Sequence, residues 1–179
     1  MKLTGWRLQD DQLKLARTGF SVASQSPAAA ARTYITGSCI SIPPSGLRVG
    51  NVFRWTFNIT KTAAGVAAST YDVCVGTAGT TADTARLSFT KPAGTAAADE
   101  GWVTITVIVR SIGATGVMVG EFVMTHNLAS TGHATIPCVA VNTVSGAFDM
   151  TTAGLKIGVC ITSGAADAIT IQQVLAEVR

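Results

Sequence analysis

In the segment Val52-Phe53-Arg54-Trp55-Thr56-Phe57-Asn58-Ile59-Thr60, apolar and polar side chains alternate from Phe53 onward. Successive side chains of an extended strand point to opposite faces, so this alternation predicts a β-strand with one buried face. Residues 102–110 repeat the pattern, with Val or Ile at every second position. Strands that each bury a single face predict two sheets packed over a shared core.

Eight further segments show a strand pattern, and spacers rich in Gly, Ser and Pro separate them. Val and Thr are abundant after residue 32, and both favour pleated surfaces because they are branched at Cβ. Short strands at regular intervals predict an all-β sandwich or barrel of about ten strands. The further predicted strands are residues 34–42, 70–75, 85–90, 117–125, 134–141, 147–150, 155–161 and 168–178.

Residues 1–32 differ in composition from the rest of the chain and carry its whole charge excess. They contain five basic and two acidic residues, whereas residues 33–179 contain eight of each. A basic segment with scattered large apolar residues is typical of an arm that docks on an acidic partner. We predict an N-terminal arm and linker over residues 1–32 and a β domain over residues 33–179; an edge strand packed on its own domain is the alternative. The candidate partner contacts of the arm are Trp6, Arg7, Arg17 and Phe20.

Composition excludes several classes of protein. Apolar residues make up 47% of the chain and charged residues 13%, which excludes intrinsic disorder. The longest apolar-rich stretch, residues 102–109, is far shorter than the roughly 20 residues that span a bilayer, so we expect no membrane partner. Lys and Arg are not interleaved with aromatic residues as single-strand binders require, so we expect no nucleic-acid partner.

The sequence contains no motif for catalysis, cofactor binding or metal binding. His126 and His133 lie seven residues apart around a Gly, which is not a common metal-ligand spacing. Adjacent carboxylates occur only at Asp10-Asp11 and Asp99-Glu100, and neighbouring residues of a strand point to opposite faces. We therefore predict that the protein is not an enzyme and has no cofactor, no metal and no catalytic residue.

The four cysteines, Cys39, Cys74, Cys138 and Cys160, do not form a zinc-binding pattern, because no two are closer than 22 residues. Cys74 and Cys160 lie in apolar, strand-like segments, which favours buried free thiols and a reducing compartment. A disulfide pair is the alternative.

Two loops share a sequence pattern. Residues 60–68 read TKTAAGVAA, and residues 90–98 read TKPAGTAAA. They are either a pair of long loops at one end of the sandwich or a coincidence in a chain rich in Ala and Thr.

Trp102 and Ile108 are predicted to point away from the core, because they alternate with the Val and Ile residues of their strand. If the valines of residues 117–125 face the core, then Phe122 and Met124 also point away from it. Strands that are apolar on both sides need cover on the second face, and a neighbouring subunit provides it. We therefore predict a subunit interface that contains Trp102, Ile108, Phe122 and Met124; for Trp102, a rim position covered by a loop of its own subunit is the alternative.

Six segments follow a common order of strand start, small loop rich in Ala, Thr and Gly, and aromatic strand. They are Arg32-Thr33-Tyr34-Ile35-Thr36-Gly37-Ser38, Ile40-Ser41-Ile42-Pro43, Leu47-Arg48-Val49-Gly50, Phe53-Arg54-Trp55, the loop of residues 60–68, and Asp83-Thr84-Ala85-Arg86-Leu87-Ser88-Phe89-Thr90-Lys91-Pro92-Ala93. Together they resemble small virion proteins of tailed bacteriophages over most of residues 32–178. The resemblance implies a jelly-roll β-sandwich of about eight to ten strands, preceded by an extended N-terminal arm, and carries over no catalytic residue.

Two functions follow from this resemblance. The first is a homotrimeric capsid decoration, or cement, protein that stabilises the head while its arm docks on the major capsid protein or another virion protein. The alternative is a jelly-roll domain of a tail or head fibre that binds a host receptor or glycan. An aromatic or carboxylate-lined groove at a distal tip would favour the fibre domain, whereas apolar patches toward the base would favour the cement protein. Both functions imply assembly in the host cytoplasm and a place in the virion.

Overall fold

Eleven antiparallel β-strands form two packed sheets over the residues that the computed structural model describes, 19–164 and 169–179. This all-β jelly-roll sandwich confirms the predicted fold class. No helix within those residues is long and apolar enough to cross a lipid bilayer. The strands are β1 (Gly19–Ser21), β2 (Arg32–Tyr34), β3 (Ile40–Ser41), β4 (Val52–Lys61), β5 (Ser69–Gly76), β6 (Thr84–Lys91), β7 (Asp99–Ser111), β8 (Val117–His126), β9 (Cys138–Val144), β10 (Lys156–Thr162) and β11 (Ile169–Val178).

The strands divide into a six-stranded and a five-stranded sheet. The six-stranded sheet has the order β1-β11-β4-β7-β8-β9. The five-stranded sheet has the order β2-β10-β5-β6, and β3 also pairs with β10. From β1 to β11, the chain crosses between the sheets six times, so strands distant in sequence lie side by side. The crossings are β1 to β2, β3 to β4, β4 to β5, β6 to β7, β9 to β10 and β10 to β11. Strand β7, with 13 residues, lies between β4 and β8 and carries the site described below.

The core lies between the two sheets and is filled by the apolar positions of the alternating segments. On β4 the side chains of Phe53, Trp55 and Phe57 are buried, as the sequence pattern predicts. The Trp55 indole N–H donates a hydrogen bond to the Ser38 carbonyl oxygen at 2.7 Å, so its polar atom is satisfied inside the core. Removal of apolar surface from water, at roughly 25 cal/mol per Å², is the main stabilising contribution of this layer.

Three predicted strands differ in the structure. Of residues 134–141, only those from Cys138 onward are in a strand, β9. Residues 34–42 contain the end of β2 and all of β3 rather than one strand, because Gly37 turns the chain between them with a φ of 85°. A Cβ at Gly37 would also lie 2.6 Å from the backbone of Phe20, so a larger residue does not fit there. Residues 147–150 form no strand and contribute a single bridge, between Gly116 and Phe148.

The predicted domain boundary at residue 32 is wrong for residues 19–32, which pack on the sandwich. Strand β1 pairs with β11, and Gln25 exchanges two backbone hydrogen bonds with Ile171, at 2.9 and 2.8 Å. Pairing satisfies backbone groups that the edge of β11 would otherwise leave open. The edge-strand alternative therefore holds for this segment, and the first 18 residues of the predicted arm lie outside the described residues.

Phe122 and Met124 are core residues, which corrects their prediction as part of a subunit interface. The β7–β8 register places Phe122 opposite Ile105 and Met124 opposite Val103, and directly opposite residues share one face of a sheet. Both side chains are fully buried. Phe and Met take the inner face of β8, rather than the valines, because their larger side chains remove more apolar area from water.

This correction predicts different costs for two truncations. We expect Phe122→Ala to lower the free energy of unfolding by about 3–5 kcal/mol, because it leaves a cavity in the core. Ile108→Ala, at an exposed position of β7, should change it by no more than about 0.5 kcal/mol. Urea denaturation followed by tryptophan fluorescence measures both variants, and equal effects would contradict the assignment of faces.

Candidate functional site

Polar side chains and one tryptophan lie in two rows on the outer face of the six-stranded sheet, at the end where β7 begins. The strand register places Asn58 of β4, Trp102 of β7 and Thr125 of β8 directly beside one another. The next row begins with Glu100, and the Asn127 backbone N–H donates to the Glu100 carbonyl oxygen at 3.0 Å. All five residues are exposed or half-buried, because they occupy the outward positions of strands whose other face is core.

These rows line a shallow groove of about 300 Å³, which we call the Trp102 groove. Trp102 has 44% of its surface exposed, so part of its side chain is accessible to a ligand. The Asn58 side-chain amide donates to the Glu100 carboxylate at 3.1 Å and orients it. The groove is lined by Asn58, Glu100, Gly101, Trp102, Thr125, His126 and Asn127.

A buried carboxylate anchors the strand beneath the groove. Asp99 precedes Glu100 on β7 and therefore points into the protein. Its carboxylate accepts hydrogen bonds from the backbone N–H groups of His133 and Glu100, both at 2.9 Å, and lies 2.7 Å from Nδ1 of His126. Burial acts to raise the pKa of Asp99, but these hydrogen bonds outweigh it, so the pKa is lowered and the group stays ionised.

The His126–Asp99 pair has a structural role. His126 Nε2 lies 2.6 Å from the Ile136 carbonyl oxygen, so both ring nitrogens are engaged and neither faces a nucleophile. The pair joins the end of β8 to the loop that follows it. Its chemistry is therefore the positioning of backbone rather than proton transfer to a substrate.

Two buried lysines hold the neighbouring loops. The ammonium group of Lys61 donates to the carbonyl oxygens of Thr62, Thr95 and Ala97, at 3.0, 2.8 and 2.6 Å. In the same way, Lys91 donates to the carbonyl oxygens of Pro92 and His133, both at 2.9 Å. His133 lies in the β8–β9 loop.

The look-alike loops of residues 60–68 and 90–98 are in direct contact. The Gly94 backbone N–H donates to the Val66 carbonyl oxygen at 2.9 Å. Of the two alternatives for these loops, the structure supports a pair at one end of the sandwich. The Thr-Lys sequence that the loops share places Lys61 at the end of β4 and Lys91 at the end of β6.

The other candidates from the sequence occupy separate places. Trp6, Arg7 and Arg17 lie outside the described residues. Phe20 lies on the edge strand β1 and is 71% exposed. Trp102 and Ile108 both lie on the outer face of β7, as predicted, but at opposite ends of the strand.

Ile108 belongs to an apolar row that crosses four strands. The register places it between Val52 of β4 and Val119 of β8, and Val119 lies opposite Val144 of β9. Ile108 and Val144 are exposed, and Val52 and Val119 are half-buried. This apolar row and the Trp102 groove therefore occupy the two ends of the same outer face.

Sequence reasoning identified Trp102 as an outward aromatic residue but missed its polar neighbours. Asn58 was visible as an outward position of β4, whereas Glu100 precedes the predicted strand of residues 102–110 and belongs to β7 only in the structure. Their proximity depends on the β4–β7 register, which is a tertiary property. Over residues 19–164 and 169–179, no group of three or more His, Cys, Asp or Glu side chains is arranged to hold a metal ion.

No protein-family model matches the chain, and no curated protein matches it. Among solved structures, it is similar to arcelin-5, a lectin-like defense protein from Phaseolus vulgaris, with 6% identity, 91% of each chain covered and a TM-score of 0.41. It is also similar to the EclA C-terminal domain, a sugar-binding protein, with 9% identity, 90% of this chain and 77% of that chain covered and a TM-score of 0.31. A third similar structure is the CBM2 module of the evolved Dit of Lactobacillus casei BL23 phage J-1, with 10% identity, 87% and 74% coverage and a TM-score of 0.29. At these values the similarities carry no argument about function, which has to follow from this chain's own residues.

The buried histidine beneath the groove predicts a pH-dependent stability. His133 is fully buried, and neither ring nitrogen has a hydrogen-bond partner. Its pKa is lowered from 6.5 to about 4, mainly by burial; Asp99 opposes the shift, and the charges of Lys91, His126 and Lys61 add to it. The folded protein therefore keeps His133 neutral at pH values where the unfolded chain binds a proton, so stability is lost as the pH falls from about 6.5 to 4.

We expect a loss on the order of 3 kcal/mol across this range, because each unit of pKa shift corresponds to about 1.4 kcal/mol. Asp99 does not contribute in this window, since its lowered pKa removes stability only below its ordinary value of 3.8. Urea denaturation at several pH values measures the slope. The His133→Leu variant should show a much flatter slope, and an unchanged slope in that variant would contradict the assignment.

Proposed function

We propose that this chain is a carbohydrate-binding domain without enzyme activity, and that the Trp102 groove holds a glycan. One observation carries the proposal: a partly exposed tryptophan lies beside an oriented carboxylate and two amide side chains on a rigid sheet. Strands hold side chains more precisely than loops do, so this surface is preorganised for a ligand.

The chemistry of the groove matches that of a sugar ring. A pyranose has a face of C–H groups, which packs on an indole, and a rim of hydroxyl groups that donate and accept hydrogen bonds. Trp102 supplies the apolar platform. Asn58 and Asn127 supply both donors and acceptors, Glu100 supplies acceptors, and Thr125 supplies a hydroxyl.

The charge and shape of the groove favour neutral oligosaccharides. Glu100 is the one carboxylate among the residues that line the groove, and no Lys or Arg lines it. An acidic sugar would therefore meet a negative charge with no cation to offset it. Because the groove is shallow and lies on an open sheet face, a glycan chain can pass across it without an end having to enter a pocket.

Binding without hydrolysis follows from the same residues. Glycoside hydrolysis commonly requires two carboxyl groups that flank the scissile bond. The neighbouring carboxylate, Asp99, points into the protein and is occupied by three hydrogen-bond partners. Glu100 therefore has no second carboxylate beside it in the groove.

The groove favours the fibre alternative from the sequence, in which a jelly-roll domain binds a host glycan, over capsid decoration. An aromatic and carboxylate-lined groove is the feature expected of the fibre domain. The apolar row around Ile108 is the kind of feature expected of a cement protein. A place in the virion, and docking on the major capsid protein, stay predictions.

A glycan array followed by calorimetric titration of the best neutral oligosaccharide tests the proposed binding. We expect Trp102→Ala to weaken binding by at least about tenfold, because it removes the stacking platform. Trp102→Phe should retain part of the affinity, since it keeps an aromatic face. Ile108→Ala, at the other end of the same strand, is the matched control and should bind like the unmodified protein. Unchanged binding in Trp102→Ala would refute the proposal.

The apolar row supports a second function, self-association. The row contains the exposed Ile108 and Val144 and the half-buried Val52 and Val119. An apolar row of this kind is typical of a surface covered by another subunit. This observation supports self-association, and three as the number of subunits stays a prediction. If the row is the interface, Ile108→Asp should convert the oligomer to monomers in light scattering after size exclusion, whereas Thr104→Asp, nearer the middle of the same outer face, should not. A monomeric unmodified protein would rule out this function.

A further inference from the structure

We propose that Cys74 and Cys160 form a reversible disulfide bond, which makes the outer face of the five-stranded sheet a site of oxidative modification. Cys74 lies on β5 and Cys160 on the neighbouring strand β10. Their sulfur atoms are 2.7 Å apart, although the residues are 86 positions apart in sequence. Both residues are fully buried.

The β5–β10 register explains how the two sulfur atoms meet. Cys74 lies opposite Gly158, and Cys160 lies opposite Asp72, so the cysteines occupy diagonal positions on the same face. Diagonal neighbours are farther apart than directly opposite residues. The Tyr34 side chain occupies the space that a side chain at Gly158 would fill, so Tyr34 packs beside the cysteine pair.

An arginine lies against the pair and favours a thiolate. The Arg32 guanidinium, on β2, is 2.9 Å from the Cys74 sulfur and 3.4 Å from the Asp72 carboxylate. A fixed positive charge stabilises a thiolate next to it. The same charge opposes the binding of a metal cation by the two sulfurs, so the pair is better suited to oxidation than to metal binding.

The two cysteines have different roles in this arrangement. The hydrogen bond from Cys74 lowers the pKa of Cys160, burial opposes that shift, and the charge of Arg32 supports it. For Cys74, the same hydrogen bond and burial raise the pKa, while Arg32 opposes them. Because the Cys160 sulfur accepts the hydrogen bond from Cys74 at 2.7 Å, we take Cys160 as the nucleophile and Cys74 as the thiol that resolves the intermediate.

Hydrogen peroxide is the small oxidant that suits a buried pair. The Cys160 thiolate attacks one peroxide oxygen, the O–O bond breaks, and hydroxide leaves, which gives a sulfenic acid at Cys160. Cys74, after loss of its proton, then attacks the Cys160 sulfur and displaces the sulfenic oxygen, which leaves as water. Two cysteine sulfurs are oxidised to one disulfide, and one peroxide is reduced to water and hydroxide. The partly exposed Arg32 side chain covers the pair and has to move aside to admit the oxidant.

The other two cysteines have to be removed so that they do not compete with this pair. Cys138 is exposed on β9 of the other sheet, whereas Cys39 is half-buried and hydrogen-bonded to Tyr34, which lies near Cys74 as well. A Cys39→Ser/Cys138→Ser background therefore isolates Cys74 and Cys160 in an otherwise complete chain.

The experiment treats this background protein with hydrogen peroxide and measures the intact mass, the free thiols after denaturation, and the disulfide-linked peptides. We expect a mass loss of about 2 Da, no remaining thiol, an internal link between Cys74 and Cys160, and reversal by dithiothreitol. Adding Cys74→Ser should abolish the mass loss. Mass gains from sulfinic or sulfonic acid without a link, or a link between two chains, would overturn the proposal.

The rate of disulfide formation tests the contribution of Arg32 separately. Arg32→Met should slow disulfide formation by at least about threefold, because it removes the charge that stabilises the Cys160 thiolate. Arg32→Lys keeps the charge and should recover part of the rate. Equal rates in all three proteins would show that Arg32 does not activate the pair.

Discussion

The Asp99 carboxylate is the interaction on which the functional end of this molecule depends. A buried charge is costly unless it is fully hydrogen-bonded, and Asp99 achieves this by drawing together the start of β7, the end of β8 and the β8–β9 loop. Lys61 and Lys91 extend the same arrangement to the two look-alike loops through carbonyl oxygens. These loops carry few large apolar side chains, so buried polar contacts fix their geometry more than hydrophobic packing does.

Alternation along β7 couples this anchor to the surface. Each buried residue of the strand fixes the direction of the exposed residue that follows it, so Asp99 sets the position of Glu100, and Gly101 and Val103 set that of Trp102. A side chain at Gly101 would meet the Thr125 carbonyl oxygen at 2.8 Å, so glycine there permits close packing beneath the groove. One strand thus carries three features on two faces: the core, the Trp102 groove and the apolar row.

The sequence was sufficient for the sandwich and for most long strands, because period-two alternation reports burial directly. It failed where the pattern was ambiguous. On β8 both faces are apolar, so alternation alone could not show that Phe122 and Met124 are buried and the valines are outside. Strand β1 has three residues, too few for a period, and its pairing with β11 is set by tertiary structure. The polar neighbours of Trp102 and the contact between Cys74 and Cys160 likewise required the strand register.

Glycan recognition by the groove is tested most directly by amide and indole NMR spectra of the ¹⁵N-labelled protein during titration with a neutral oligosaccharide selected on an array. Shift changes should concentrate on the indole N–H of Trp102 and on the signals of Asn58, Glu100 and Asn127, which line one continuous surface. Signals from the apolar row around Ile108 should stay in place. Saturable shifts confined to another face, with the Trp102 indole unmoved, would contradict binding in the groove.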